Sequence, residues 1–269
     1  MKKPIYIAAI VLLLLVFGVS AFMVGSYLLE GKEQAEKYDS LSALKDSAKE
    51  NATTATESTE ETDPEGTFRE AEVRDENGML VEYGEIYALN EDVVGWIRMD
   101  GTEMDYPVMQ TSTDNANFYL YRDFDKKQSA RGSIYIREEC DMNEPSDNIT
   151  IYGHNMRDGS MFACLNDYVS KEAWDNNALI FFDSLYEYRV YKIFAVFKTS
   201  ANVGKGFTYH NMIDAQNKAD FDEFISTCKQ LSFYETGITP EYGDKIICLS
   251  TCEYTLDNGR LVVAAVRIS

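Results

Sequence analysis

The sequence predicts a mainly β domain whose sheet is closed or nearly closed, with helices added to it. Two observations carry this prediction. At least six short segments are rich in β-branched and aromatic residues and are bounded by Gly, Asn, Asp or Pro, as strands are. Helical patterns between them are few. The strand segments are VVGWIRM from Val93, SIYIRE from Ser133, NITIYGH from Asn148, YRVYKIFAVF from Tyr188, DKIICLSTC from Asp244 and RLVVAAVRI from Arg260.

The N-terminal segment, residues 4–29, predicts a membrane anchor. No charged residue occurs between Lys3 and Glu30, a stretch longer than the roughly 20 residues that a helix needs to cross a bilayer. A cleavable signal sequence is the alternative, because the residues VSA at Val19–Ala21 imitate a cleavage site. Lysines precede the segment and glutamates follow it, which places the N-terminus in the cytoplasm and the remaining chain outside.

The chain after the anchor divides into a linker, residues 30–66, and a globular domain, residues 67–269. Residues 30–50 are rich in helix formers with few large apolar groups, and they predict a solvated, partly helical stalk. Residues 51–66 contain only Ala as an apolar type, which predicts a disordered acidic tether. Residues 1–29 then form the cytoplasmic start and the anchor.

Three helical patterns accompany the strands. A leading helix is predicted around Leu80, Tyr83 and Tyr87, and Asn90 stops it. A second helix is predicted over Gly159 to Val169. A longer one, Asp214 to Leu231, carries apolar residues at spacings of three and four, so one of its faces can pack on the barrel.

Composition excludes several classes of function. The 269 residues carry a formal net charge of −20 and no Lys/Arg cluster, so nucleic acid is not an expected partner. The chain has neither CxxC nor HxxxH, the close ligand pairs typical of zinc sites, and its acidic stretches lack the register of a calcium loop. It also lacks a phosphate-binding GxxxxGK[ST] loop. We therefore expect neither a metal nor a cofactor.

The five cysteines are an odd number for an exported domain, so at least one is expected to be unpaired. Cys248 and Cys252 cannot bridge each other if they share a strand, because four residues of strand separate them by roughly 13 Å. Strand alternation puts both on one face of the strand, together with Ser250, and we expect this small polar face to point away from an apolar core. Cys252, at the strand's end, can then emerge into a cleft.

Arg260 and one of two histidines are the groups that could activate Cys252. The residues EYTLDNG between Cys252 and Arg260 predict a hairpin loop, and antiparallel pairing would return Arg260 beside the thiol. A positive charge there favours the thiolate and can stabilise an oxyanion. Arg267 lies in the same strand but on the opposite face, so we prefer Arg260 and assign Arg267 to solvent or to a surface ion pair. His154 ends a strand, whereas His210 lies in a loop-like stretch.

The joint pattern resembles the sortase family, class B in particular. The resemblance rests on LSTC at Leu249 to Cys252, NGRLVVAAVRI around Arg260 and IYGHNMRDGSMF around His154, and it extends through LNEDVVGWIRMDGTEMDYPVMQ and DNANFYL. Two features depart from the class B pattern: Cys248 stands where the family has Thr, and the interval from Cys252 to Arg260 is short.

The resemblance implies an eight-stranded sortase-type β-barrel with an N-terminal helix and a long helix before the cysteine-bearing strand. It implies a membrane-anchored cysteine transpeptidase of a Gram-positive cell surface. Cys252 would cleave a C-terminal sorting motif of an exported protein after Thr and form a thioester, with His154 supplying a proton and Arg260 stabilising the oxyanion. The backbone N–H of Glu253 would assist Arg260, and Leu120 and Ser250 would line the substrate groove. The acceptor would be an amine of the cell-wall precursor.

Three alternatives stay open at this point. A pilus-polymerising sortase would use a pilin lysine as the acceptor amine. A papain-like cell-wall cysteine hydrolase would use water, although papain-like enzymes place the cysteine before the histidine, and here His154 precedes Cys252. A binding or scaffolding domain would keep the barrel without the activity.

Overall fold

The computed structural model describes residues 3–55, 61–62, 68–69, 72–202 and 204–269. The chain forms two compact units, Met1–Ser40 and Leu41–Ser269. The long helix α1, Lys3–Ala55, supplies the described part of the first unit. Two short strands, β1 (Glu61–Thr62) and β2 (Phe68–Arg69), pair antiparallel with each other.

The predicted membrane anchor lies in α1. This helix holds a segment long and apolar enough to cross a bilayer, and none of that segment is buried by the protein. Its apolar side chains are exposed, as at Phe17 and Phe22, which are 72% and 74% exposed. A membrane span and a signal sequence share these properties.

The last turns of α1, from Leu41 onward, belong to the second unit and pack within it, which differs from the solvated stalk predicted there. Leu41 is buried, and the hydroxyl of Ser42 donates to the Asp105 carboxylate at 2.7 Å. The ammonium of Lys45 lies 3.4 Å from Asp105 and 4.4 Å from the centre of the Trp96 ring. These contacts explain the difference, because the lysine ammonium lies over an aromatic ring and is paired with a carboxylate. Most of the predicted tether, residues 51–66, lies outside the described residues, and the domain boundaries stay predictions.

Among the described residues, eight strands close into a barrel, as predicted. Their order around it is β10-β8-β7-β3-β4-β5-β6-β9. The pairs β4 with β5 and β6 with β9 are parallel, and the other six are antiparallel. The strands are β3 (Val93–Arg98), β4 (Asp105–Met109), β5 (Ile134–Ile136), β6 (Asn148–Tyr152), β7 (Leu179–Ser184), β8 (Val190–Ser200), β9 (Ile246–Glu253) and β10 (Gly259–Arg267).

All six segments predicted as strands are strands, and two more, β4 and β7, complete the barrel. Pro107 lies in the middle of β4, opposite Trp96 of β3. Proline cannot donate a ladder hydrogen bond and argues against a strand when only the sequence is read. This residue explains why β4 was not predicted.

The predicted leading helix is α2, Val81–Leu89, and the helix before the cysteine-bearing strand is α4, Lys218–Leu231. α4 begins four residues later than predicted because Asn217 caps it, accepting from the backbone N–H groups of the second and third residues beyond. The helix predicted over Gly159 to Val169 is instead a 3₁₀ helix, Ala163–Val169, followed by the short helix α3, Lys171–Asn176. Gly159 and Met161 both have positive φ angles, which end any regular helix there.

The outer face of β9 packs beneath α4. Cys248 is fully buried in one apolar cluster with Cys228, Phe221 and Phe224 of α4. The prediction that this face avoids an apolar core is therefore wrong for Cys248, because α4 covers the middle of the strand. The alternate residues Ile247 and Leu249 are fully buried too. Burial on both faces fixes the register of β9, and with it the position of Cys252 at the strand's end.

Gly153, between β6 and His154, is a packing constraint. A Cβ atom there would lie 2.6 Å from both Ile134 Cδ1 and Phe162 Cγ. We expect Gly153→Ala to lower the free energy of unfolding by about 1–3 kcal/mol through overpacking. The matched control is Gly84→Ala in α2, where a Cβ meets nothing within 4 Å; helix propensity predicts an unchanged or higher stability. Urea unfolding of both variants checks the pair, and equal stabilities would contradict this packing.

Candidate active site

Cys252 and Arg260 face each other across β9 and β10. They are Cα partners in the antiparallel pairing, as the hairpin prediction required. The carbonyls of Ser250 and Cys252 point the other way, toward β6, where they accept from Gly153 N–H and from the Asn155 side chain. Cys252 and Arg260 therefore form a non-hydrogen-bonded pair, the kind whose Cβ atoms approach to about 4.5–5.5 Å. The backbone of Arg260 is thus beside the thiol, and its guanidinium Nη1 donates to the Gly259 carbonyl at 2.9 Å and to Asn258 Oδ1 at 3.1 Å.

His154 lies at the same rim because β6 and β9 run parallel. Tyr152 pairs with Ser250, and Gly153 N–H donates to the Ser250 carbonyl at 3.1 Å. The hydroxyl of Thr251 donates to the Gly153 carbonyl at 2.8 Å. His154 and Cys252 each follow this pairing by two residues, so they leave neighbouring strand ends side by side. The strand pairing thus places the backbones of all three predicted catalytic residues at the ends of three adjacent strands, and their catalytic roles stay predictions.

The orientation of the His154 ring is set by the segment before β5. Its Nε2 lies 2.7 Å from the backbone oxygen of Leu120, in the 3₁₀ helix Phe118–Tyr121. A carbonyl oxygen only accepts, so Nε2 carries a hydrogen and donates it. The Tyr121 ring lies against the imidazole, with ring centres 5.6 Å apart. Nδ1 is therefore the ring nitrogen left to exchange a proton.

The five cysteines differ in exposure. All five are free; Cys252, near the end of β9, and Cys164 are half-buried, and the other three are buried. Burial raises the pKa of Cys140 and of Cys164 to about 11. Burial raises the pKa of Cys228 and Cys248 as well. Because their pKa values are raised, these four cysteines remain protonated thiols near neutral pH. A thiol is not the reactive form of cysteine, which is the thiolate. The candidate nucleophile is Cys252.

Arg260 also acts on a group of aromatic side chains that the sequence did not identify. Burial raises the pKa of Tyr135 and of Tyr209, and the charge of Arg260 offsets a small part of each rise. The pKa of His210 is lowered, first by burial and then by Arg137 and Arg260. His210 is thus neutral near pH 7. These residues come from β5 and the 3₁₀ helix Tyr209–Asn211, which no spacing in the sequence connects with Cys252.

The three predicted substrate-binding residues occupy different positions. Leu120 is half-buried, and its carbonyl contacts His154. Ser250 is only 2% exposed, and its hydroxyl lies 2.6 Å from that of Tyr209. Tyr209 is buried too, at 3% exposed, so the substrate contact expected of Ser250 stays a prediction. The side chain of Glu253 is buried, and its backbone N–H as an oxyanion donor stays a prediction.

The Glu253 carboxylate holds the hairpin between Cys252 and Arg260. It accepts from Lys198 Nζ at 2.9 Å, from Thr255 N–H at 2.9 Å and from Leu256 N–H at 3.1 Å. Burial alone would raise the pKa of Glu253, but the hydrogen bonds from Thr255 and Lys198 lower it to about 2. The ionised carboxylate thus fixes the short loop that carries Arg260.

A depressed carboxyl pKa makes stability depend on pH with a definite sign. The ionised Glu253 carboxylate contributes to the free energy of unfolding above the ordinary carboxyl pKa of about 4.3. This contribution is lost as pH falls toward 2. We expect Glu253→Gln to lower the free energy of unfolding at pH 7 by up to about 3 kcal/mol. The gap to wild type should shrink on acidification below pH 4, as urea unfolding at several pH values can measure. A gap independent of pH would contradict the assignment.

Metal ligands do not converge in the described part of the chain, where no group of three or more His, Cys, Asp or Glu side chains could hold an ion. Arg267, the alternative to Arg260, forms an ion pair with Glu187 at 2.7 Å, as predicted for a surface arginine. The chemistry available at the rim is therefore that of a thiol, an imidazole and a guanidinium.

The chain is similar in sequence and in structure to known sortases. The family model described as the sortase domain matches residues 97–268. Sortase B of Listeria monocytogenes is 33% identical over 254 residues, which cover 92% of this chain and 90% of that protein. The structure of a Staphylococcus aureus sortase B–substrate complex superposes with a TM-score of 0.64 at 29% identity, covering 70% of this chain and 85% of that one. The structure of sortase B complexed with triglycine has the same TM-score and identity, with coverages of 70% and 86%.

Proposed function

The chain belongs to the sortase family as a class B cysteine transpeptidase of the cell wall, and we propose that it works through a thioester on Cys252. Its substrates would be exported proteins that carry a C-terminal sorting motif. The acceptor would be an amine of the cell-wall precursor. The observation that carries this proposal is the meeting of Cys252, His154 and Arg260 at the ends of three adjacent strands.

Acylation follows from the arrangement of these groups. The Cys252 thiolate attacks the carbonyl carbon of the Thr in the sorting motif, a C–S bond forms, and the carbonyl oxygen becomes an oxyanion. Arg260, the cross-strand partner of Cys252, would turn its guanidinium away from Asn258 and Gly259 to donate to that oxygen. When the oxyanion collapses, the C–N bond breaks, and the leaving amine takes a proton from Nδ1 of the His154 imidazolium. The Thr carbonyl is then held as a thioester.

Transfer reverses the proton movement. The acceptor amine attacks the thioester carbon and gives a proton to His154 Nδ1, and the C–S bond breaks to return the thiolate. The His154 Nε2–H bond to the Leu120 carbonyl supports this role, because it keeps Nδ1 as the exchanging nitrogen in both half-reactions. Since the thioester conserves the reactivity of the acyl group, the exchange needs neither a nucleotide nor a metal.

The apolar part of α1 supports a tethered enzyme. Residues 4–29 would span the membrane with the N-terminus in the cytoplasm, by the excess of lysine before the segment. The catalytic domain would then lie outside the cell, where sorting-motif proteins and wall precursors meet. Protease protection of the domain in intact cells would argue against this orientation, and protease sensitivity would support it.

Acceptor dependence distinguishes transfer from hydrolysis. The full-length chain in detergent is incubated with peptides bearing candidate sorting motifs, with and without triglycine, and the products are separated by mass. The proposal predicts a peptide–triglycine conjugate with a new amide bond. Cleavage that yields only the free carboxylic acid at saturating triglycine would identify a hydrolase instead.

A further inference from the structure

Asn155, the residue after His154, makes a side-chain contact with the backbone of the nucleophile. Its Nδ2 donates to the Cys252 carbonyl at 2.9 Å. The same amide pairs with Asn166 of the 3₁₀ helix Ala163–Val169: Asn166 Nδ2 lies 2.9 Å from Asn155 Oδ1, and Asn155 Nδ2 lies 3.3 Å from Asn166 Oδ1. Asn166 Nδ2 also donates to the Ala163 carbonyl at 2.7 Å.

This network fixes which way each amide points. The Cys252 and Ala163 carbonyls accept only, so the Nδ2 atom of each asparagine must face its carbonyl. Rotating the Asn155 amide by half a turn would bring its oxygen against the Cys252 oxygen. The pair therefore holds one orientation.

The side chain of Asn155 takes the place of a missing backbone hydrogen bond. In the β6–β9 ladder, Gly153 N–H donates to the Ser250 carbonyl. In a continuing parallel ladder the next rung would join the backbone N–H of Asn155 to the Cys252 carbonyl. The chain leaves the ladder at His154, and the Asn155 side chain bridges the widened gap. β6 can thus diverge from β9 at His154 while the Cys252 carbonyl keeps its donor.

The loop that carries His154 is closed at its other end. Phe162 N–H donates to the His154 carbonyl at 2.9 Å, and Asn155 forms an isolated β-bridge with Met161. The contact from Asn155 to Cys252 is therefore a cross-link between this closed loop and the end of β9. It joins the residue after the histidine to the cysteine itself.

We propose that the Asn155–Asn166 amide pair is a positioning device that sets the distance between the His154 imidazole and the Cys252 thiol. Neither asparagine touches the reacting atoms. Each acts through the backbone, and Asn166 acts through Asn155. The inference rests on the proposed function, because it concerns the geometry of the same proton transfer.

Substitution of Asn155 should lower kcat with little change in KM. Asn155→Asp keeps the size and the acceptor for Asn166 but removes the donor to the Cys252 carbonyl. We expect kcat to fall about 10- to 100-fold, since a displacement near 1 Å can cost about 10²-fold, and KM to stay within about threefold. Asn166→Ala should have a smaller effect of the same kind. The double variant should resemble Asn155→Asp alone, because the two amides act as one unit.

The experiment measures kcat, KM and the pH–rate profile of the full-length chain in detergent, with a sorting-motif peptide and triglycine. Asn155→Ala, which adds no charge, should shift the pH–rate profile, because the coupling of His154 to Cys252 depends on their distance. Asn177→Asp, which precedes β7 on the far side of the barrel, adds the same charge as Asn155→Asp and should leave kcat unchanged. Thermal unfolding verifies that each variant is folded.

The outcomes separate the two proposals. If wild type is active and folded Asn155→Asp and Asn155→Ala retain kcat within about twofold with an unshifted pH profile, the positioning role is overturned and the function stands. An unfolded Asn155→Asp leaves Asn155→Ala and Asn166→Ala to decide by the same criteria. A wild-type chain without transfer or cleavage would overturn the proposed function and this inference with it.

Discussion

Replacing Cys252 with Ala is expected to abolish both cleavage of a sorting-motif peptide and its transfer to triglycine. The variant retains the barrel, since Cys252 lies at the end of β9 and is half-buried. It removes the only sulfur paired across the ladder with Arg260, so no thioester can form. The expected loss is at least about 10³-fold in turnover, because removing a covalent nucleophile leaves only binding and electrostatic effects.

The matched control for this variant is Cys164→Ala. Cys164 is also partly accessible, but burial raises the pKa of its thiol to about 11. We expect this control to retain turnover within about twofold, since it removes a thiol that is protonated at neutral pH. Turnover lost in Cys164→Ala and kept in Cys252→Ala would show that the reaction is assigned to the wrong cysteine here.

Arg260→Gln is expected to produce the second large loss. Arg260 is the cross-strand partner of Cys252, and the shorter, uncharged Gln side chain lacks both the charge and the guanidinium donors. Loss of one oxyanion donor lowers kcat by about 10²–10³-fold. Arg260→Lys should recover only part of this, because an ammonium lacks the planar fork of the guanidinium.

The control for Arg260 lies in the same strand. Arg267→Gln removes an arginine whose guanidinium is paired with Glu187, and it should leave kcat within about twofold of wild type. Steady-state kinetics with the same peptide and triglycine compares the three variants. Equal losses in Arg260→Gln and Arg267→Gln would show that the effect comes from β10 stability and not from the oxyanion.

The sequence predicts the Cys252–Arg260 pair from local rules alone. A strand, a hairpin loop and a return strand place the two residues opposite each other, and the structure confirms that register. Local rules also separate Arg267 from the site. The face to which a strand residue points can be predicted from the sequence, because successive side chains alternate between the two faces.

The convergence of His154 on Cys252 is not readable in this way. It depends on the parallel pairing of β6 with β9, two strands about 100 residues apart in the chain. No local pattern encodes such a contact, and only the family resemblance anticipated it. Tyr209 and Asn166 were missed for the same reason, since each lies in an element that the sequence does not link to β9.

Two corrections follow from tertiary packing. The face of β9 that carries Cys248 lies in an apolar environment because α4 packs on it. The residues KIICLSTC alone do not predict that packing. The last turns of α1 pack on the barrel through Ser42 and Lys45, although their composition is that of a solvated helix. In both cases the burial of a segment depends on an element that packs against it and is distant in the sequence.

The central claim is that Cys252 carries the acyl group between donor and acceptor. Intact-mass measurement of the full-length chain after incubation with a sorting-motif peptide, without amine, tests it most directly. We expect an adduct whose added mass equals the peptide fragment ending in Thr, located on Cys252 by peptide mapping and removed when triglycine is added. Peptide cleavage without any such adduct, or an adduct on another cysteine, would contradict it.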